Sequence, residues 1–192
     1  MPVPKFKTAN QEKREAYKEE FWPNEIAWTG DTRQAGWFRA PRTIPLILSL
    51  LSSKKTTGSN LDPGRVYLEL LGRHRDSGVI EMASDGDHSY AAGYEGSRGV
   101  RTWKERMKLL ETLGFIKSRK AGNQQYKFVL LVHPAIAVQR LHEKGLVDED
   151  WFSTYRARQI DTKEPDHDDL IASHKKPEEI IIPALPDVFA AK

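Results

Sequence analysis

The stretch from Ser97 to Val132 constrains the fold more than any other part of this chain. Val100, Trp103, Met107, Leu110 and Leu113 recur at i, i+3, i+7, i+10 and i+13. That spacing places them on one stripe of a 3.6-period helix facing a core. Arg98, Arg101, Glu105, Lys108 and Thr112 fall on the opposite side. Gly114 ends the helix. Phe115 to Arg119 and Gln125 to Val132 then alternate or run apolar around Ala121-Gly122-Asn123, as the arms of a hairpin with a polar tip do.

Thr102-Trp103, Met107, Leu110 and Leu113-Gly114-Phe115-Ile116 resemble the recognition helix and first wing strand of winged helix-turn-helix proteins. Bacterial regulators of the MarR-like kind commonly read T-V-x-x-x-L-x-x-L-x-x-x-G-x-I there. Trp103 stands here for the valine and Met107 for the first leucine. The resemblance spans roughly residues 44 to 132 and implies an α+β, mainly α, fold that binds double-stranded DNA. The matching positions are mostly core positions, so they carry no information about the DNA sequence bound.

Charge follows the same division. Between Ser97 and Lys120 eight basic residues face only Glu105 and Glu111, a balance of +6. From Asp161 to Glu179 seven acids face three lysines, a balance of −4. The whole chain of 192 residues carries only +3, with 39% hydrophobic and 30% charged residues, so it is not a uniformly basic nucleic-acid coat. The asymmetry instead suits one DNA-facing segment and one solvated tail. Ser97, Arg98, Arg101, Thr102, Lys104, Glu105 and Lys108 on the helix are the candidates for the major groove. Lys117, Arg119, Lys120 and Lys127 on the hairpin are candidates for phosphate or minor-groove contacts, the alternative being a sheet edge protected by lysine.

The remaining segments read as support. Thr8 and Gln11 fit a capping box for a helix to Phe21, and Trp22, Trp28 and Trp37 give residues 1–40 the character of an aromatic arm that packs on the domain or on a partner subunit. Residues 41–132 form the winged domain. Ile44 to Leu51 is apolar nearly all round and predicts a buried first helix, Lys54 to Ser59 a loop, and Asp62-Pro63 the start of a second helix to about His74. Val79, Ile80 and Met82 predict a short strand pairing with the hairpin. A short helix is expected near His88 to Ala92. Gly93, Gly96 and Gly99 then mark the turn before the recognition helix, since neither a Walker lysine nor a βαβ unit supports a nucleotide loop. Pro134 and Asp148-Glu149-Asp150 open two helices in residues 133–160. Their aromatics Trp151, Phe152 and Tyr155 predict either a cover for the core or a two-fold dimer contact. Residues 161–192 read as an acidic, proline-containing extended tail ending in IIIPALPDVF.

Chemistry finds no foothold. There are no cysteines, and Asp166-His167-Asp168-Asp169 and Asp85-Gly86-Asp87-His88 lack the spacing of calcium or zinc motifs. Neither G-x-S-x-G nor H-E-x-x-H occurs. The expectation is therefore a non-enzymatic DNA-binding protein, homodimeric, without metal or cofactor. No apolar run is long enough to span a membrane and the N-terminus lacks a secretory apolar region, so the expected location is cytoplasmic. Transcription regulation is the leading role. A plasmid- or phage-type replication or maintenance protein, or a winged-helix protein-docking module, are the alternatives.

Overall fold

The computed structural model describes residues 40–73 and 78–174. The expected N-terminal helix, the tryptophan arm and the terminal IIIPALPDVF stretch lie outside the described residues. Those described form an α+β structure that is mainly helical, with eight helices and one three-stranded antiparallel sheet.

Helix α1 (Ile44–Ser52) buries Ile44, Ile47, Leu50 and Leu51, and Pro45 sits in its first turn, where no intrahelical donor is lost. Lys54 to Ser59 differs from expectation. Instead of a plain loop it contains a one-turn helix, α2 (Lys54–Thr57), ended by Gly58. Thr56 and Thr57 are both buried. Thr56 donates its hydroxyl to the Leu146 carbonyl at 2.9 Å, and the Thr57 hydroxyl lies 2.9 Å from the Ser53 carbonyl. So short a turn has no apolar stripe; backbone bonds from Thr57 to Ser53 and from Gly58 to Lys54, each 2.9 Å, close it, and the hydroxyl contacts add to them.

Helix α3 (Gly64–Arg73) begins where the Asp62 carboxylate accepts the Gly64 N–H at 2.8 Å, and it turns Val66, Tyr67, Leu70 and Leu71 inward. Strand β1 (Val79–Glu81) follows, then α4 (Asp85–Ala91). This helix starts three residues before its expected place because Ser84 caps it, accepting from the Asp87 N–H at 3.3 Å, with Asp85 and Asp87 in the favourable first turn.

Helix α5 (Gly99–Thr112) is the expected amphipathic helix. Trp103, Met107 and Leu110 are fully buried, while Val100 is half-exposed at the near end of the stripe. Its first residue admits no side chain: a Cβ on Gly99 would lie 2.4 Å from the Tyr94 carbonyl oxygen. This close approach locks α5 against the turn from α4, and the Tyr94 carbonyl is itself held by the Ser89 hydroxyl at 2.8 Å.

Strands β2 (Ile116–Ala121) and β3 (Gln124–Leu131) form a hairpin closed by Gly122-Asn123, with Gly122 at φ +56° in the first central position. The sheet order is β1-β3-β2. Val79 pairs with Leu130 and Glu81 with Phe128 on one side, and Lys117 with Leu130 and Arg119 with Phe128 on the other. The register shifts between Arg119 and Ala121, near the tip.

Helices α6 (Pro134–Glu143), α7 (Glu149–Thr162) and α8 (His167–His174) complete the described chain. Tyr155 is buried in the core, with Trp151 stacked on it at 5.3 Å. Phe152 stacks on His142 at 3.7 Å. Trp151 and Phe152 pack against the same core. Residues 161–174 depart from the expected extended tail: α7 continues to Thr162, and α8 follows after a short turn. That turn is pinned by Asp166. Its carboxylate accepts the Asp169 N–H and the Arg156 guanidinium, each at 2.9 Å, and these donors hold it below the ordinary carboxylate range. No described helix is long and apolar enough to cross a membrane.

Candidate functional site

The exposed side of α5 and the base of β3 enclose an open groove of about 460 Å³ lined by Val100, Arg101, Lys104, Glu105, Lys108, Gln125 and Tyr126. The core stripe explains why the helix presents these groups. With Trp103 packed edge-on to Tyr126 at 5.7 Å and Met107 and Leu110 buried, rotation of α5 about its axis would expose apolar area. Burying one such side chain contributes about 1.5–3 kcal/mol, so the opposite face is held toward solvent.

A second brace lies beneath the start of α5. His88 of α4 is buried, its Nδ1 3.0 Å from the Glu69 carboxylate of α3, and its ring stacks on Trp103 at 6.2 Å. Three helices therefore meet at one imidazole.

The candidate residues separate into groups. Ser97 and Arg98 are exposed in the turn that leads into α5, Arg98 at its N-cap position. Arg101 has its side chain 84% exposed, and its Nε donates to Glu105 at 3.2 Å. Thr102 is half-buried and its carbonyl accepts from Arg106 at 3.0 Å. Lys108 is exposed at the far end of the groove. Lys104 lines the groove but is ion-paired at 2.7 Å with Asp85 of α4.

The hairpin cations do not act as one set. Ser118 donates its N–H and hydroxyl to Glu111 of α5, at 3.1 and 2.7 Å, so this face of β2 is the one against the helix. Because strand side chains alternate, Lys117 and Arg119 lie on the other face, beside exposed Leu130 and Phe128. They are separated from the α5 groove by the thickness of the sheet. Lys127 is tied to Glu81 at 2.9 Å and to the Met82 carbonyl at 3.2 Å, which makes it a link between β3 and β1. Lys120, next to the tip, is exposed. Among the described residues Arg98, Lys108, Lys117, Arg119 and Lys120 make no ion pair.

Arg106 belongs elsewhere, lying over the Tyr94 ring at 4.7 Å and donating to the Asp62 carbonyl at 3.1 Å. Gln125 and Tyr126 escaped the sequence reading because the register shift near the tip decides which β3 residues reach the groove. Burial, then the nearby Glu111 and Asp85 charges, push the Tyr126 phenol up to about 12, so its hydroxyl is a neutral donor.

Cations, one carboxylate, an amide and a phenol suit an anionic ligand bearing polar edges. Among the described residues no three His, Asp or Glu side chains gather to hold a metal. Compared with protein-family models, with curated proteins and with solved structures, the chain matches none.

Proposed function

We propose that this protein binds double-stranded DNA sequence-specifically through a winged helix-turn-helix unit, as a homodimeric, non-enzymatic regulator of transcription. In this reading α4 and α5 are the two helices of the motif, α5 enters the major groove, and the β2–β3 hairpin is the wing. The element order from α3 to β3 and the sheet order β1-β3-β2 support it. The observation that carries it is the exposed edge of α5, where Arg98, Arg101, Glu105 and Lys108 face solvent while Trp103, Met107 and Leu110 fix the helix from behind.

The groove between α5 and Gln125 leaves space for a phosphate strand, with Lys108 among its lining residues. A plasmid- or phage-type replication or maintenance protein would present the same surface, and genomic mapping of bound sites separates the two roles. A protein-docking module is the reading from a different class. It has no use for Arg98 and Lys108 on α5 and Lys120 near the hairpin tip, none of which makes an ion pair among the described residues, and that is why DNA is preferred.

Binding to a random duplex as a function of salt tests this choice. If Arg98, Lys108 and Lys120 each meet a phosphate, log affinity falls against log salt with a slope of about −3. A duplex affinity that is negligible at low salt would reject the DNA reading and favour docking.

A further inference from the structure

We infer that Arg101 reads guanine and that Glu105 is the residue that aims it, so the preferred duplex carries a G·C pair opposite the first turn of α5. This rests on the DNA reading above and names the chemistry it would select.

Arg101 is the third residue of α5, in the part of a groove-bound helix that reaches base edges. Its guanidinium has two usable edges. One is occupied: Nε donates to the Glu105 carboxylate at 3.2 Å. Its two terminal nitrogens hold no partner among the described residues, and the side chain is 84% exposed. A planar fork held at Nε therefore presents two parallel N–H donors outward. Guanine offers two adjacent acceptors in the major groove, N7 and O6. Adenine offers one acceptor beside an N6 donor, which would face the second N–H donor to donor. Thymine offers a single acceptor beside a methyl group. Only guanine satisfies both donors.

Glu105 makes little sense on a surface that merely holds phosphates. It is 46% exposed in the middle of the basic edge, where its charge repels the duplex backbone. As an ordinary i,i+4 pair it would add little to the stability of the helix. As a buttress it removes rotamer freedom from a long side chain before binding, so that less is lost on contact. Specificity gained against non-specific affinity given up is a trade suited to a reader.

Selection from a random duplex library with the full chain tests this, followed by titration of the selected site and of a scrambled duplex. The wild type should enrich a guanine at one fixed position. Arg101→Lys keeps the charge but loses the fork. It should leave scrambled-duplex affinity within about twofold and reduce preference for that guanine roughly tenfold to hundredfold. Glu105→Ala should also lower the guanine preference while raising affinity for the scrambled duplex, because a repelling charge is gone. Both side chains are exposed, and unchanged melting temperatures would confirm intact folding.

An Arg101→Lys protein that keeps the guanine preference overturns the inference while leaving the DNA reading intact. A Glu105→Ala protein with unchanged preference overturns the buttress. Absence of duplex binding by the wild type at every salt concentration rejects the underlying reading itself.

Discussion

Thr43 gives both its backbone N–H and its hydroxyl to the two carboxylate oxygens of Glu164, at 3.1 and 2.7 Å, across 121 positions of sequence. Thr43 is fully buried at the start of α1, and the Glu164 charge, after burial, helps to raise the nearby Tyr155 phenol. The turn after α7 thus anchors the first described helix. Glu164→Ala leaves two donors without their acceptor, and we expect it to cost about 1–3 kcal/mol. Truncation after Ile160 removes the same clasp together with the Arg156–Asp166 pair and should cost at least as much. Denaturant unfolding measures both. An unchanged midpoint for the truncated chain would show residues 161–192 to be dispensable, as their composition alone suggests.

Gly99 sets the angle between α4 and α5. A methyl group there would meet the Tyr94 carbonyl oxygen at 2.4 Å, its carbon at 2.9 Å and the Ser89 hydroxyl at 3.1 Å. Two of these neighbours are backbone and cannot swing away. Gly99→Ala should therefore destabilise by about 1–3 kcal/mol, the usual range for overpacking, and should weaken duplex binding by displacing the start of α5. Gly86→Ala is the control. Its Cβ would meet only Ser84 Oγ at 3.5 Å, so a neutral or slightly stabilising effect is expected. Thermal melts of the two variants decide the matter, and equal melting temperatures would rule out the locking role.

What the sequence made legible follows from length and period. The 14 residues of α5 repeat their apolar positions often enough to fix both the element and its inward face, and Gly122 between two apolar runs fixes the hairpin. Helix α2 was not legible because four residues hold no period and the contact that ties it to the rest of the chain, Thr56 to the Leu146 carbonyl, spans 90 positions. Site membership was legible only in part. Arg101, Glu105 and Lys108 follow from the helix face alone. That Lys104 is bound to Asp85, and Lys127 to Glu81, depends on which elements become neighbours in space. Alternation already set Lys117 and Arg119 apart from Ser118. The Glu111–Ser118 contact and the burial of Ile116 show which face is covered.

Alkaline pH should unfold the protein in a defined window. Burial raises the phenols of Tyr67, Tyr126 and Tyr155 above the ordinary value of 10.0, the last two to about 12. Between pH 10 and 12 the unfolded chain therefore loses protons that the folded chain keeps, so stability falls as pH rises. The contribution of Tyr126 and Tyr155 is complete below pH 10 and gone above 12, while that of Tyr67, raised further, extends past this window. Denaturant unfolding across this range, with tyrosinate absorbance recorded alongside, should show ionisation of these phenols coinciding with unfolding. Tyr126→Phe should flatten the decline, and a slope unaltered by this substitution would contradict the assignment.

Assembly can be tested apart from the aromatic residues, since Trp151, Phe152 and Tyr155 pack within the chain. Ile160 on α7 and Ile171 on α8 are large apolar side chains left 74% and 42% exposed. If they serve the proposed homodimer, Ile160→Glu should shift sedimentation of the full chain from dimer to monomer with little change in melting temperature. A wild-type monomer at tens of micromolar protein would remove the dimer from the reading.

Lys120 and Lys127 lie on the same hairpin but should respond oppositely to removal. Lys120 is exposed beside the tip with no ion pair among the described residues, so on DNA it can displace a counterion from a phosphate. Lys127 already spends its ammonium on Glu81 and the Met82 carbonyl. Lys120→Ala should weaken binding to every duplex alike and make the salt slope shallower by about one ion, with the fold unaffected. Lys127→Ala should leave the slope unchanged. It should instead lower stability by up to about 1 kcal/mol, the scale of a partly exposed pair, by loosening β1 from β3. Lys117→Ala, on the far face of the sheet, should change neither quantity. A salt slope reduced equally by all three substitutions would mean that the duplex wraps both faces of the hairpin, and the groove beside α5 would then be only part of the binding surface.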